Sequence, residues 1–85
     1  MNHYAVLILR RAQKELANLP SNSYSRVKDA IIGLAGDPRP AQSTQLVGRG
    51  GWRLRVGDYR IIYDIDDIAK TVTVLHVGHR RDVYR

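Results

Sequence analysis

The 85-residue chain contains no cysteine, which removes disulfide staples and thiolate metal sites. It also lacks a long hydrophobic run. The longest aliphatic stretch, Ala5 to Leu9, is far too short to cross a bilayer or to serve as a secretory core. Internal repeats, low-complexity segments and linkers are missing, so residues 1–85 are expected to form one domain. A chain this short buries only about 60–65% of its unfolded surface, which favours a single economical sheet. His3, His76 and His79 are the only histidines, and no carboxylate pair stands at ligand spacing. No metal site and no cofactor are therefore expected. Ser43 and Thr44 carry no nucleophile motif, and Gly48, Gly50 and Gly51 precede a strand, unlike a phosphate-cradling loop. The expectation is a soluble cytoplasmic protein with no membrane partner.

What the chain has in excess is positive charge. Fourteen basic against eight acidic residues give a net charge of +6. Eleven of the fourteen are arginine, and seven of the eight acids are aspartate. So much basic charge on so small a surface favours a polyanion, nucleic acid first. Guanidinium groups favour planar, bidentate contact with phosphate or with a partner's carboxylates.

The element order reads β-α-α-β-β-β. Tyr4 to Leu9 has the length and apolar density of a strand covered on both faces. In the next segment Ala12, Leu16 and Leu19 recur at helical spacing until Pro20 ends it. Ser21 or Ser23 is placed to cap a second helix with the apolar stripe Tyr24, Val27, Ile31 and Leu34, stopped by Gly36-Asp37-Pro38. Residues 37–51 read as a mobile or functional loop. Trp52-Arg53-Leu54-Arg55-Val56 then alternates strictly, Gly57-Asp58 forms a two-residue hairpin turn, and Tyr59 to Ile65 returns. Thr71 to Val77 is the last strand, followed by Gly78 and a charged tail. The first strand is expected beside the last, running antiparallel to it.

The hairpin turn fixes a register in which Arg55 faces Arg60, Leu54 faces Ile61 and Arg53 faces Ile62. One face collects Trp52, Leu54, Val56, Tyr59, Ile61 and Tyr63, and the other collects Arg53, Arg55 and Arg60. Like charges directly opposite destabilise a sheet by up to about 1 kcal/mol. Three guanidinium groups on one face make sense if an anion binds among them; the alternative is that Asp64 pairs with one and the rest point into solvent. The tail adds His79 as a candidate proton-transfer group, Arg80 and Arg81 as candidate charge stabilisers, and Tyr84 as a proton donor or stacking platform.

Leu46-Val47-Gly48, Trp52 to Tyr63, and Val77-Gly78-His79-Arg80-Arg81-Asp82-Val83-Tyr84-Arg85 resemble the signature of the RelE/ParE superfamily of toxins from bacterial and archaeal type II toxin–antitoxin modules, and the RelE branch most. The resemblance implies an α+β domain with a two-helix hairpin packed on one face of a small antiparallel sheet. It further implies a metal-independent mRNA endonuclease acting in the ribosomal A site. In that chemistry the RNA's own 2′-hydroxyl is the nucleophile and a cyclic phosphate or 3′-phosphate is left. By resemblance, Arg60, Arg80 and Tyr84 are catalytic, and Arg53 and Arg55, with Arg81, contact RNA. The implied partners are a RelB-like antitoxin with an acidic wrapping segment, the ribosome and mRNA, and operator DNA through the antitoxin alone.

This chain departs from the family in its general base. Several relatives carry lysine at the positions of Arg53 and Arg55, and arginine does not give up its proton. His79, where relatives have lysine or histidine, is therefore the expected base or acid. Two other readings stand beside the nuclease: a ParE-like toxin that inhibits DNA gyrase by binding it, and an inactive domain kept as antitoxin partner or corepressor. An acidic antitoxin segment and an RNA phosphate ask nearly the same of an arginine.

Overall fold

The computed structural model describes residues 3–48 and 50–79. Its elements are β1 (Ala5–Ile8), α1 (Arg10–Ala17), α2 (Ser21–Gly33), β2 (Ser43–Gln45), β3 (Trp52–Val56), β4 (Tyr59–Asp66) and β5 (Thr71–His79). Both helices cover one face of a single five-stranded sheet ordered β1-β5-β4-β3-β2. The α+β class and the helical hairpin are as the sequence predicts. Ala12 and Leu16 from α1, with Val27, Ile31 and Leu34 from α2 and its C-cap, pack on Leu54, Ile61, Tyr63, Val72, Val74 and Val77. Five of these strand residues, Leu54, Ile61, Tyr63, Val72 and Val74, lie at positions that the strand period already separates; Val77 is one residue out of that period. The expected serine cap on α2 is absent. Pro20 occupies the N-cap with extended backbone, and its carbonyl accepts from Tyr24 N–H at 2.8 Å, which starts the ladder.

Two expectations about the sheet are corrected. It is mixed, because β1 lies beside β5 as predicted but runs parallel to it, Ala5 opposite Thr71 through Ile8 opposite Val74. The cause is where the helices deliver the chain: Tyr4 N–H donates to the Ala35 carbonyl at 2.8 Å. The end of α2 therefore returns to the end of the sheet where β1 begins; after the intervening β2, which runs back toward that end, β3 starts there and points the same way as β1. Two antiparallel steps later, β5 does too. The second correction is β2, a short strand antiparallel to β3 inside the segment read as a loop. Its three residues, Ser43-Thr44-Gln45, are all polar and carry no apolar alternation to announce them.

That loop is also tied down. The buried Tyr63 hydroxyl donates to the Pro38 carbonyl at 2.8 Å, and burial pushes its pKa up, which keeps the donor protonated. Arg39 holds Asp67 through both carboxylate oxygens, at 3.2 and 2.8 Å, and Tyr4 O–H donates to the same group at 2.6 Å. The Arg39 guanidinium also lies 5.2 Å from the centroid of the Trp52 ring.

The register of the β3–β4 hairpin is the predicted one at all five pairs from Trp52–Tyr63 to Val56–Tyr59. Between β4 and β5 the register slips once: Tyr63 pairs with Val74 but Ile62 pairs with His76, leaving Leu75 as the extra residue of a bulge. Val72 and Val74 face the helices before the bulge, and Val77 faces them after it. Among the described residues no strand lies beside the outer edge of β5 past Val74. There Glu15 on α1 reaches over and accepts from Val77 N–H at 2.9 Å.

Two measurements follow from these contacts. Glu15→Ala leaves an edge N–H without its carboxylate and should cost about 1–3 kcal/mol in urea unfolding; Glu15→Gln, which keeps an acceptor oxygen, should recover most of that. The Arg39 guanidinium, then the Tyr4 hydroxyl, draw the Asp67 carboxyl down to about 2. A carboxylate lowered in the folded state stabilises above its unfolded pKa, and that contribution is lost as pH falls from about 4 toward 2. The Asp67 side-chain carbon should titrate near 2 by NMR, and Arg39→Gln should return it toward the ordinary aspartate range.

Candidate functional site

The face of the sheet turned away from the helices is read directly from the registers. One row across β3, β4 and β5 is Arg55, Arg60 and Gly78; the next is Arg53, Ile62 and His76. The three arginines predicted to share a face do share it, and Arg55 and Arg60 are direct cross-strand neighbours. They differ in surroundings. Arg55 is exposed, Arg53 half-buried, and Arg60 is only 8% exposed. Arg60 Nη1 donates to the Tyr59 carbonyl at 3.3 Å. Opposite it across the β4–β5 pair stands Gly78. Farther along the same face β4 presents Asp64 and Asp66, so the surface grades from basic at the hairpin end to acidic at the β4–β5 turn. A groove of about 730 Å³ between α2 and the end of β3 beyond its pairing with β2 adjoins the basic end at Arg55.

His79 does not join the arginines. It pairs with Tyr59 on the helix-side face, where the two rings meet edge-on with centroids 5.8 Å apart. The bulge at Leu75 is the reason, since one inserted residue exchanges the faces of everything after it. Its counterpart is that His76 is turned onto the arginine face. There α1 meets it around the open edge of β5. His76 Nδ1 lies 2.9 Å from Glu15 Oε1 and 2.8 Å from Oε2, and Nε2 lies 2.8 Å from Arg11 Nη2. Arginine only donates, so Nε2 accepts and the ring proton sits on Nδ1, facing the carboxylate. In the sequence His76 stands out only as a possible metal ligand, and Glu15 does not stand out at all. Neither residue carries a local signal, because their meeting depends on the bulge. Arg80, Arg81 and Tyr84 lie outside the described residues.

Among the described residues no cluster of three or more His, Cys, Asp or Glu side chains is placed to hold a metal ion. No described helix is long and apolar enough to cross a membrane.

With this geometry in view, residues 6–84 match the family described as "ParE toxin of type II toxin-antitoxin system, parDE". The chain is 34% identical over 84 residues to Toxin RelG of Mycobacterium tuberculosis, covering 96% of this chain and 97% of the relative. It is 31% identical over 84 residues to Toxin RelE of the same organism, covering 96% and 87%. Among solved structures, the RelBE2 toxin–antitoxin complex from M. tuberculosis aligns with a TM-score of 0.81 at 31% identity, over 92% of this chain and 99% of that one. The archaeal RelE–RelB complex from Pyrococcus horikoshii OT3 aligns with a TM-score of 0.79 at 28% identity, over 98% and 100%. A helical hairpin on a mixed sheet, a basic open face fixed by the β3–β4 register, and relatives matched along nearly their whole length lead to one assignment: this chain belongs to the ParE toxin family of type II toxin–antitoxin systems, within the RelE/ParE superfamily.

Proposed function

We propose that this chain is a toxin that cleaves mRNA on the ribosome, with the RNA's own 2′-hydroxyl as nucleophile, and that a RelB-type antitoxin neutralises it. The observation that carries this reading is the arginine face. Three guanidinium groups stand at positions dictated by one hairpin register, and one of them is almost wholly buried. In-line attack on a phosphodiester accumulates negative charge on the equatorial oxygens. Donors fixed before the reaction stabilise that charge without reorganising. Arg60, held by the sheet, has that role together with Arg80. Arg53, Arg55 and Arg81 bind flanking phosphates, and Tyr84 protonates the leaving 5′-oxygen or stacks on a base. His79, beside Tyr59 on the opposite face, has no part in this scheme. The RelB-type partner is supported by the matched structures, in which the toxins are bound to such antitoxins.

The family match itself favours a second reading, inhibition of DNA gyrase by protein binding, since its description is that of a ParE toxin. One experiment separates the two. Purified chain is added to a translation reaction with a defined mRNA, and new 3′ ends are mapped by primer extension. Cuts should appear only with ribosomes present. Arg60→Ala should lower the cleavage rate by about 10²–10³-fold, the typical loss for one donor to a developing anion. Arg55→Ala, at an exposed position, should mainly weaken ribosome binding and flatten its dependence on salt. Uncut mRNA from a preparation that arrests growing cells would transfer the assignment to gyrase or another protein target.

A further inference from the structure

The nuclease reading leaves one step without a residue. Something has to take the proton from the attacking 2′-hydroxyl, and arginines do not. Resting on that reading, the geometry points to His76 as the proton acceptor, with Glu15 as its positioning residue and Arg11 as a displaceable cover over the reactive nitrogen.

Four observations support the assignment. His76 stands in the row Arg53–Ile62–His76, next to the row that holds Arg60. Diagonal neighbours on adjacent strands are about 7–8 Å apart at Cα, so a phosphate seated on Arg60 lies within reach of the imidazole. The ring is neutral with its proton on Nδ1, which places the free lone pair on Nε2, the form a general base requires. The Glu15 carboxylate is anchored independently by Val77 N–H at 2.9 Å. It therefore fixes the tautomer and stabilises the imidazolium that forms on proton transfer, as the acid does in a histidine–carboxylate pair. Finally, the group occupying Nε2 is an arginine whose side chain is 66% exposed, whereas those of His76 and Glu15 are 17% and 26% exposed.

That contrast suggests how the base is uncovered. Arg11 spends a charged donor on a neutral acceptor, and a phosphate oxygen is a much stronger one. When RNA enters, Arg11 transfers to phosphate and releases Nε2. The step then balances. The 2′-oxygen forms a bond to phosphorus while its proton passes to His76 Nε2. The bond from phosphorus to the 5′-oxygen breaks, and that oxygen takes a proton from Tyr84 or water. The products are a 2′,3′-cyclic phosphate and a 5′-hydroxyl, and His76 returns its proton to solvent.

The charged groups facing the ring are Glu15 and Arg11 from α1, Arg60 diagonally on β4 and Arg53 two strands away. Activity needs the neutral ring, so the cleavage rate should rise as pH is raised.

The test is single-turnover cleavage of ribosome-bound mRNA between pH 5.5 and 8.5, run beside ribosome affinity and thermal unfolding. His76→Gln keeps a side chain able to bond both Glu15 and Arg11. It should unfold like the wild type, bind ribosomes equally well, cleave about 10²–10⁴-fold more slowly, and lose the rising limb of the pH profile. Glu15→Gln should keep the fold, lower the rate less, and displace that limb. Wild-type cleavage that His76→Gln reproduces within twofold, with the same pH profile, overturns the assignment and leaves the nuclease standing. So does a rate loss matched by loss of folding, which would make His76 a structural tether between α1 and β5. A wild type that cuts no mRNA removes the nuclease and this inference together.

Discussion

β5 has to satisfy two different neighbours along one edge, and much of the molecule is arranged around how it does so. Its first four residues are paired by β1. β1 then ends, and an unpaired strand edge in a small protein invites unwanted strand pairing. The chain closes that edge with a helix rather than with more strand: Leu9 leads directly into α1, and Glu15 meets the Val77 amide one turn and a half later. The same reach that caps the backbone brings a carboxylate and a guanidinium around to His76. The bulge at Leu75 makes this possible, because it turns His76 to the open face while returning Val77 to the core.

How far the sequence disclosed this structure follows from how local each determinant is. The β3–β4 hairpin was legible residue by residue, since Gly57, which adopts a φ of +59°, sets the turn and two alternating strands agree about the buried side. Arg53, Arg55 and Arg60 could be placed on one face for the same reason. The faces of His76 and His79 could not. The run Val72-Thr73-Val74-Leu75-His76-Val77 carries no turn or glycine signal to mark a bulge at Leu75, and one inserted residue inverts every face beyond it. The direction of β1 was equally hidden, because it depends on where α2 delivers the chain and not on any residue of β1. The tie among Tyr4, Arg39 and Asp67 joins three segments far apart in sequence, each of them ordinary when read alone.

Arg60 combines burial with charge in a way that its exposed neighbour Arg55 does not. A guanidinium held inside a sheet has already given up its solvent shell and most of its rotamers during folding. On the proposed nuclease reading, that prior ordering is what suits it to hold an anion in one geometry. Arg55, in water, retains both and is better suited to attracting an anion than to holding it in one geometry. On the same reading, Asp64 and Asp66 farther along this face leave the hairpin end as the more basic one.

Tyr4 and Asp67 bond across 63 positions of sequence, and the strand that follows Tyr4 finds its partner only in β5. Contacts this distant form late, because the intervening chain must be closed into a loop before they return any stabilisation. As the chain leaves a ribosome, β1 and both helices emerge with no sheet to rest on, and they wait until nearly all the remaining residues have followed. A protein wired this way cannot complete its sheet until residues 71–74 are free to meet β1.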